Sequence, residues 1–113
     1  MKSYPQLAEE LEKGMGDLAA QIPPTMTPFG EVVSGAMADG LLSAKTKELI
    51  ALAIAVSVRC DPCIAHHSRA VLKAGATKEE VAEALGVAVL MGGGPAVAYS
   101  VSAMEAVGQF LAE

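Results

Sequence analysis

At 113 residues and 11.5 kDa, the chain has the size of one domain, 1–113. It is 52% hydrophobic with only 4% aromatics and no Trp, so its interior must be built from Ala, Val, Leu, Ile and Met, a composition that favours helices over a β-sandwich. With 8 basic against 13 acidic residues, a net charge of −5 and no Lys/Arg cluster, the chain offers no surface for nucleic-acid phosphates.

The elements read as helices throughout. Residues 4–20 place Leu7, Leu11, Met15 and Leu18 at helical spacing, and Pro23-Pro24 stops that segment. A second helix is predicted over 28–38, with Phe29, Val32, Val33 and Met37 on one face and Asp39-Gly40 at its end. A third starts after Ser43, an N-cap residue, and passes through Glu48 into an apolar run to Val56. That run is apolar on all sides, the mark of a central buried helix. The fourth begins with Asp61 as N-cap and Pro62 in the first helical position, and ends at Lys73-Ala74-Gly75. Thr77-Lys78-Glu79-Glu80 reads as a capping box opening the fifth. Gly92-Gly93-Gly94 then turns the chain into a sixth helix from Pro95 to about Leu111. No period-2 segment survives, so the expected fold is an all-α, compact bundle of about six helices.

Mean hydropathy is +0.41, high for a small soluble monomer, so a membrane or a partner subunit should cover apolar surface. No charge occurs between Glu83 and Glu105, but Gly92-Gly93-Gly94-Pro95 would break a span at the bilayer midplane. The run from Leu49 to Val58 is about half the length a span requires. Lys2, Glu9, Glu10, Glu12 and Lys13 leave no apolar core for a signal peptide. The expectation is a cytoplasmic, self-associating protein with no membrane partner. The glycine run lacks the preceding strand and the following Lys-Ser/Thr of a phosphate loop, so a tight inter-helix turn is expected there.

The chemistry concentrates in Cys60-Asp61-Pro62-Cys63-Ile64-Ala65-His66-His67, which holds the only two cysteines and the only two histidines. Two thiols with a two-residue spacer can close a disulfide, and His67 lies one helical turn beyond Cys63 on the same face. In the first turn of a helix, exposed amides and the dipole favour a negative sulfur. His67 can accept the thiol proton. Arg59 assists the thiolate electrostatically, whereas Asp61 opposes it unless engaged elsewhere. Glu48 enters through geometry. It lies about 15 Å from the turn that joins helices three and four, and His67 about 9 Å from it, so an antiparallel hairpin leaves an offset of roughly 6 Å.

Other uses of these residues are open at this level. Cys60, Cys63, His67 and Glu48 form a possible four-ligand zinc set, but structural zinc normally draws a second ligand pair from elsewhere, and the chain has no other Cys or His. A c-type haem would need histidine directly after Cys63. A purely structural disulfide is disfavoured by the short loop. His66 falls off the Cys63 face and is expected at the surface or an interface; the six methionines read as core filler.

Lys47-Glu48-Leu49-Ile50-Ala51-Leu52, Cys60-x-x-Cys63-x-x-x-His67, Lys73-Ala74-Gly75-Ala76 and Leu90-Met91-Gly92-Gly93-Gly94-Pro95 together resemble the carboxymuconolactone decarboxylase superfamily. Within it the chain is similar to the AhpD-type alkylhydroperoxidase branch, over roughly residues 40–100. The resemblance implies an AhpD-like helical bundle with the CxxC at the N-terminus of a central helix. It implies an oxidoreductase, a thiol-dependent peroxidase or disulfide oxidoreductase with antioxidant function. Cys60 and Cys63 would be its redox pair, His67 the proton acceptor and Glu48 the relay partner. It further implies a small hydroperoxide or disulfide substrate, no tightly bound cofactor or metal, an external lipoyl-bearing or thioredoxin-like dithiol reductant, and a homotrimer or hexamer. Full-length AhpD proteins are two-repeat chains with a further histidine just before the second cysteine, where this chain has Pro62. The alternative within the superfamily is its namesake lyase activity on a small carboxylic acid, which needs acid/base groups and a cationic carboxylate site rather than a dithiol.

Overall fold

Local capping chemistry sets where the helices begin. The computed structural model describes residues 2–113, folded as α1 (Tyr4–Gln21), α2 (Pro23–Met37), α3 (Ala44–Ser57), α4 (Asp61–Lys73), α5 (Lys78–Gly92) and α6 (Gly94–Leu111). Ser3 Oγ accepts the Gln6 amide at 3.2 Å and Ser43 Oγ the Thr46 amide at 3.1 Å, each satisfying an orphan donor of a first turn. The expected capping box is present: Thr77 Oγ1 accepts the Glu80 amide at 3.1 Å, and Glu80 Oε1 accepts the Thr77 amide at 2.9 Å. The fold is all-α as expected, with no strand among the described residues.

Three expectations need correction. Pro23-Pro24 does more than stop α1, because the same prolines start α2, five residues earlier than residue 28. A proline in the first turn gives up an amide that had no partner anyway, and its fixed φ suits a helix. Pro28 then sits inside α2. At the start of α4, the N-cap is Cys60 rather than Asp61, which occupies the first helical position. And α3 is not buried all round: Glu48, Leu52, Ala55 and Val56 face inwards, but Ile50 is 45% and Ile54 55% exposed. One flank of α3 lies open beside α5.

The core is small-residue and aliphatic apart from Tyr4, and the expected methionine filler is missing from it: Met15 is 41% and Met91 80% exposed, and Met104 packs against it only partly buried. Leu52 and Val56 of α3, Ile64 and Val71 of α4, Val81 of α5 and Val107 of α6 are essentially inaccessible. Ala65, Ala103 and Ala106 let the helix axes approach. Helix α4 is the hub, packed against α3, α1 and α6, which puts the CxxC at the N-terminus of the central helix. By contrast α2 has no buried residue and touches only α1 and α3.

The glycine run is the tight turn its composition suggested. Gly93 takes a φ of 66°, and a Cβ on Gly92 would fall 2.7 Å from Ala96 Cβ, so the close α5–α6 corner excludes side chains. No helix among the described residues is long and apolar enough to cross a membrane.

Candidate functional site

The buried end of α3 delivers the chain to Cys60 through a sharp reversal. The Cys60 amide donates to Ala55 O at 3.0 Å and the Arg59 amide to Val56 O at 3.2 Å, closing the helix with two backward bonds. The chain then enters α4 at once. Cys60 and Cys63 are joined in a disulfide, with Cα atoms 5.1 Å apart, and the described residues include no free cysteine. The Cys63 amide points at Cys60 Sγ at 3.2 Å, so sulfur fills the capping position normally held by oxygen. Both sulfurs therefore lie at the positive end of the α4 dipole. Cys63 packs against the hydrophobic core and is only partly accessible, as is Cys60.

The α3–α4 hairpin brings Glu48 and His67 together. His67 Nδ1 lies 3.1 Å from Glu48 Oε1, across 19 residues of sequence. Glu48 is buried, 8% exposed, a location a carboxylate tolerates only with a hydrogen-bonding partner. With Nδ1–H donating to the carboxylate, the imidazole presents Nε2 as its acceptor. The 6 Å axial offset inferred from helix rise is thus closed by direct contact. Cys63 and His67 stand one turn apart on α4, so all four predicted residues belong to one constellation.

Two neighbours were not legible as site residues. Lys2 pairs with Asp61, the residue between Cys60 and Pro62, and Asp61 raises the lysine pKa chiefly through their hydrogen bond. Lys2 is held there because Gln109 clamps the backbone around it: its Nε2 donates to Lys2 O at 2.8 Å and its Oε1 accepts the Tyr4 amide at 2.7 Å. Asp61 is thereby engaged, which answers its expected opposition to a thiolate. No local signal links residues 2 and 61. His66, expected at a surface or interface, is half-buried and meets the His67 ring edge-on, with centroids 4.8 Å apart and planes at 85°. Burial, and then the charge on His67, lowers its pKa below the usual histidine value.

Among the described residues no group of three or more His, Cys, Asp or Glu is arranged to hold a metal ion. What the structure shows at this end of α4 is a disulfide-forming cysteine pair with an imidazole one helical turn beyond Cys63. An apolar groove of about 370 Å³ lies elsewhere, between α3 and α5, lined by Leu49, Ile50, Ile54, Val87 and Met91 among others.

Comparison with known proteins gives the same frame. An uncharacterised protein of Cupriavidus necator is 40% identical over 95 residues, 84% of each chain. Uncharacterised protein 4 of the cox locus of Paracoccus denitrificans is 42% identical over 67 residues, 59% of this chain and 60% of that one. A carboxymuconolactone decarboxylase family protein from Legionella pneumophila superposes with a TM-score of 0.92 at 40% identity, covering 95% of this chain and 96% of its own. A second family member, from Thermotoga maritima, superposes with a TM-score of 0.84 at 27% identity over 93% and 90% of the two chains; a part in the antioxidative response has been suggested for it. The family model matches residues 23–106, a range that contains Glu48, Cys60, Cys63 and His67. The chain belongs to the carboxymuconolactone decarboxylase family.

Proposed function

We propose that the protein is a thiol-dependent peroxidase or disulfide oxidoreductase of the AhpD type, with Cys60 and Cys63 as its redox pair and His67 and Glu48 as its proton relay. The observation that carries this reading is the Cys60–Cys63 disulfide at the start of α4 together with the His67–Glu48 contact on the same hairpin. A bridge across two residues constrains the unfolded chain less than a long-range bridge, so stability is a weak reason for it. At a helix start, by contrast, the reduced sulfur gains an amide donor and the dipole, the conditions that make a thiolate.

In the proposed cycle one thiolate attacks the O–O bond of a hydroperoxide. The sulfur becomes a sulfenic acid, and the leaving oxygen departs as an alcohol after taking a proton, supplied through His67. The second thiol condenses with the sulfenic acid, forming the disulfide and releasing water. An external dithiol, on a lipoyl-bearing or thioredoxin-like protein, returns two electrons. A cytoplasmic setting, where thiols are kept reduced, suits such a cycle. Intact-mass spectrometry of the reduced protein after stoichiometric peroxide tests it. The mass should fall by two hydrogens, and Cys60→Ser or Cys63→Ser should abolish that change. Thiols that resist peroxide while one zinc ion per chain co-purifies would contradict it.

The proposal extends to self-association, with a trimer or hexamer as the family form. Helix α2 exposes Phe29 (56%), Val32 (62%) and Val33 (44%), and the α3–α5 groove leaves Ile54 and Val87 open. A helix of this length with no fully buried residue gains little tertiary stabilisation in a single chain. Contiguous apolar exposure of this kind marks an interaction surface.

A further inference from the structure

Lys2 reaches the redox loop across 59 residues of sequence and ends on Asp61, the residue after Cys60. Several contacts hold it there. Tyr4, 2% exposed, anchors the segment in the core. Gln109 of α6 fixes the backbone, accepting the Tyr4 amide at 2.7 Å and donating to Lys2 O at 2.8 Å. Lys2 Nζ also lies 5.9 Å from the centre of the Tyr4 ring, within reach of a cation–π contact. An exposed lysine–carboxylate pair adds little to stability, so stability does not account for this arrangement.

The lysine cancels a charge that would otherwise compete with the thiols. Asp61 occupies the first turn of α4, where a carboxylate and a thiolate are favoured by the same exposed amides and the same dipole. A thiolate on either cysteine of Cys60-Asp61-Pro62-Cys63 has this carboxylate inside its own loop, and a like charge so close disfavours ionisation. Two recesses flank the Lys2–Asp61 pair, lined also by Tyr4 and Glu10 of α1 and by Tyr99 and Glu105 of α6. Lys2 is the only cation among their lining residues, set against the carboxylates of Asp61, Glu10 and Glu105. The other charges near the motif do not serve Asp61. Glu48 is taken up by His67, and His66 lies half-buried against that ring. Arg59 is exposed and joins none of the ion pairs among the described residues.

We propose that Lys2 is a positioning residue of the redox pair: by neutralising Asp61 it lets the reduced CxxC carry a thiolate at the start of α4. This rests on the redox reading above and adds to it the group that sets thiol reactivity from outside the motif. Lys2 itself stays charged while the thiols titrate, because its hydrogen bond to Asp61 holds its pKa above the usual lysine value. Since it acts through Asp61, its effect must vanish once residue 61 is uncharged.

The test uses the reduced full-length protein with Lys2→Met, Lys2→Arg, Asp61→Asn and the Lys2→Met/Asp61→Asn double variant. Alkylation by iodoacetamide from pH 5 to 9.5, read by intact mass, gives the pKa of the more reactive thiol. Lys2→Met alone should raise it by about 0.5–1, the effect of one uncompensated charge in the same loop. Lys2→Arg, Asp61→Asn and the double variant should stay at the wild-type value. The rise in Lys2→Met should shrink at high salt. Its oxidation by stoichiometric peroxide should be about 3-fold slower than wild type at pH 7 and close to wild type at pH 9.5, where the thiol ionises unaided. An unchanged thiol pKa in Lys2→Met, whatever its Tm, would overturn the inference and leave the redox reading intact. The same rise in the Asp61→Asn background would also overturn it, because the lysine would then not act through Asp61. Wild-type thiols that resist peroxide would remove the redox reading itself, and this inference with it.

Discussion

Replacing His67 by Gln removes the base while keeping a polar side chain of similar reach, and the size of the effect follows from thiol ionisation. A thiol at its ordinary pKa of about 8.5 is only about 3% thiolate at pH 7. If His67 holds the attacking cysteine ionised near neutrality, its loss lowers the reactive fraction about 30-fold. Loss of proton delivery to the departing alkoxide adds a further factor of a few, so peroxide oxidation at pH 7 should slow about 10²-fold, at the lower end of general-base effects. Raising the pH to about 9 ionises most of the thiol unaided and should restore about 20-fold of that loss. Glu48→Gln keeps an oxygen facing His67 Nδ1, 3.1 Å away in the native protein, but loses the charge. A rate loss of about 10-fold is expected, the lower bound for a hydrogen bond to a charged partner. The protein lacks Trp, so the assay is quenched flow with alkylation of remaining thiols and intact-mass readout, run from pH 6 to 9.5. Equal losses at every pH, with a lowered Tm, would refute the reasoning. These residues would then support the fold and not a proton.

Other consequences can be checked with simpler measurements. Thr77→Ala deletes half of the capping box at α5 and should cost about 1 kcal/mol, seen as a Tm about 4 °C lower in a calorimeter. The folded pKa of His66 lies below its unfolded value, so the unfolded chain takes up that proton first as pH falls. Stability from this group is therefore complete above about pH 6.5 and declines below it, and the fall in Tm between pH 7 and 5 should be shallower in His66→Gln. Sedimentation equilibrium at micromolar concentration should give a multiple of 11.5 kDa, shifted towards monomer by Val87→Asp; a stable, active wild-type monomer would contradict self-association.

The sequence made most of the fold legible because its signals were local. Ser43, Thr77 with Glu80, and Lys73-Ala74-Gly75 mark helix ends through contacts spanning a few residues, and each appears where expected. Glu48 and His67 were joined across 19 residues only because a helical hairpin has a fixed rise per residue. Misreadings arose where one residue type serves two purposes. Pro23-Pro24 can stop a helix or start one, and which occurs depends on where the following turns pack. Cys60 does not read as a cap because oxygen-bearing Asp61 stands beside it, yet the sulfur fills the position and Asp61 turns to Lys2. The open flank of α3 was hidden for another reason. Hydropathy shows that Ile50 and Ile54 avoid water but not whether their cover comes from the same chain. The Lys2–Asp61 contact spans 59 residues and depends on the Gln109 clamp, so no periodicity encodes it.

The central claim is that the Cys60–Cys63 pair turns over. With a trace of protein, excess tert-butyl hydroperoxide and excess dihydrolipoamide, dithiol consumption should match peroxide consumption one for one through many cycles. Cys60→Ser and Cys63→Ser should each reduce the rate to background. Wild-type protein that forms its disulfide once and then stops, or consumes peroxide no faster than the Cys60→Ser variant, would contradict the account.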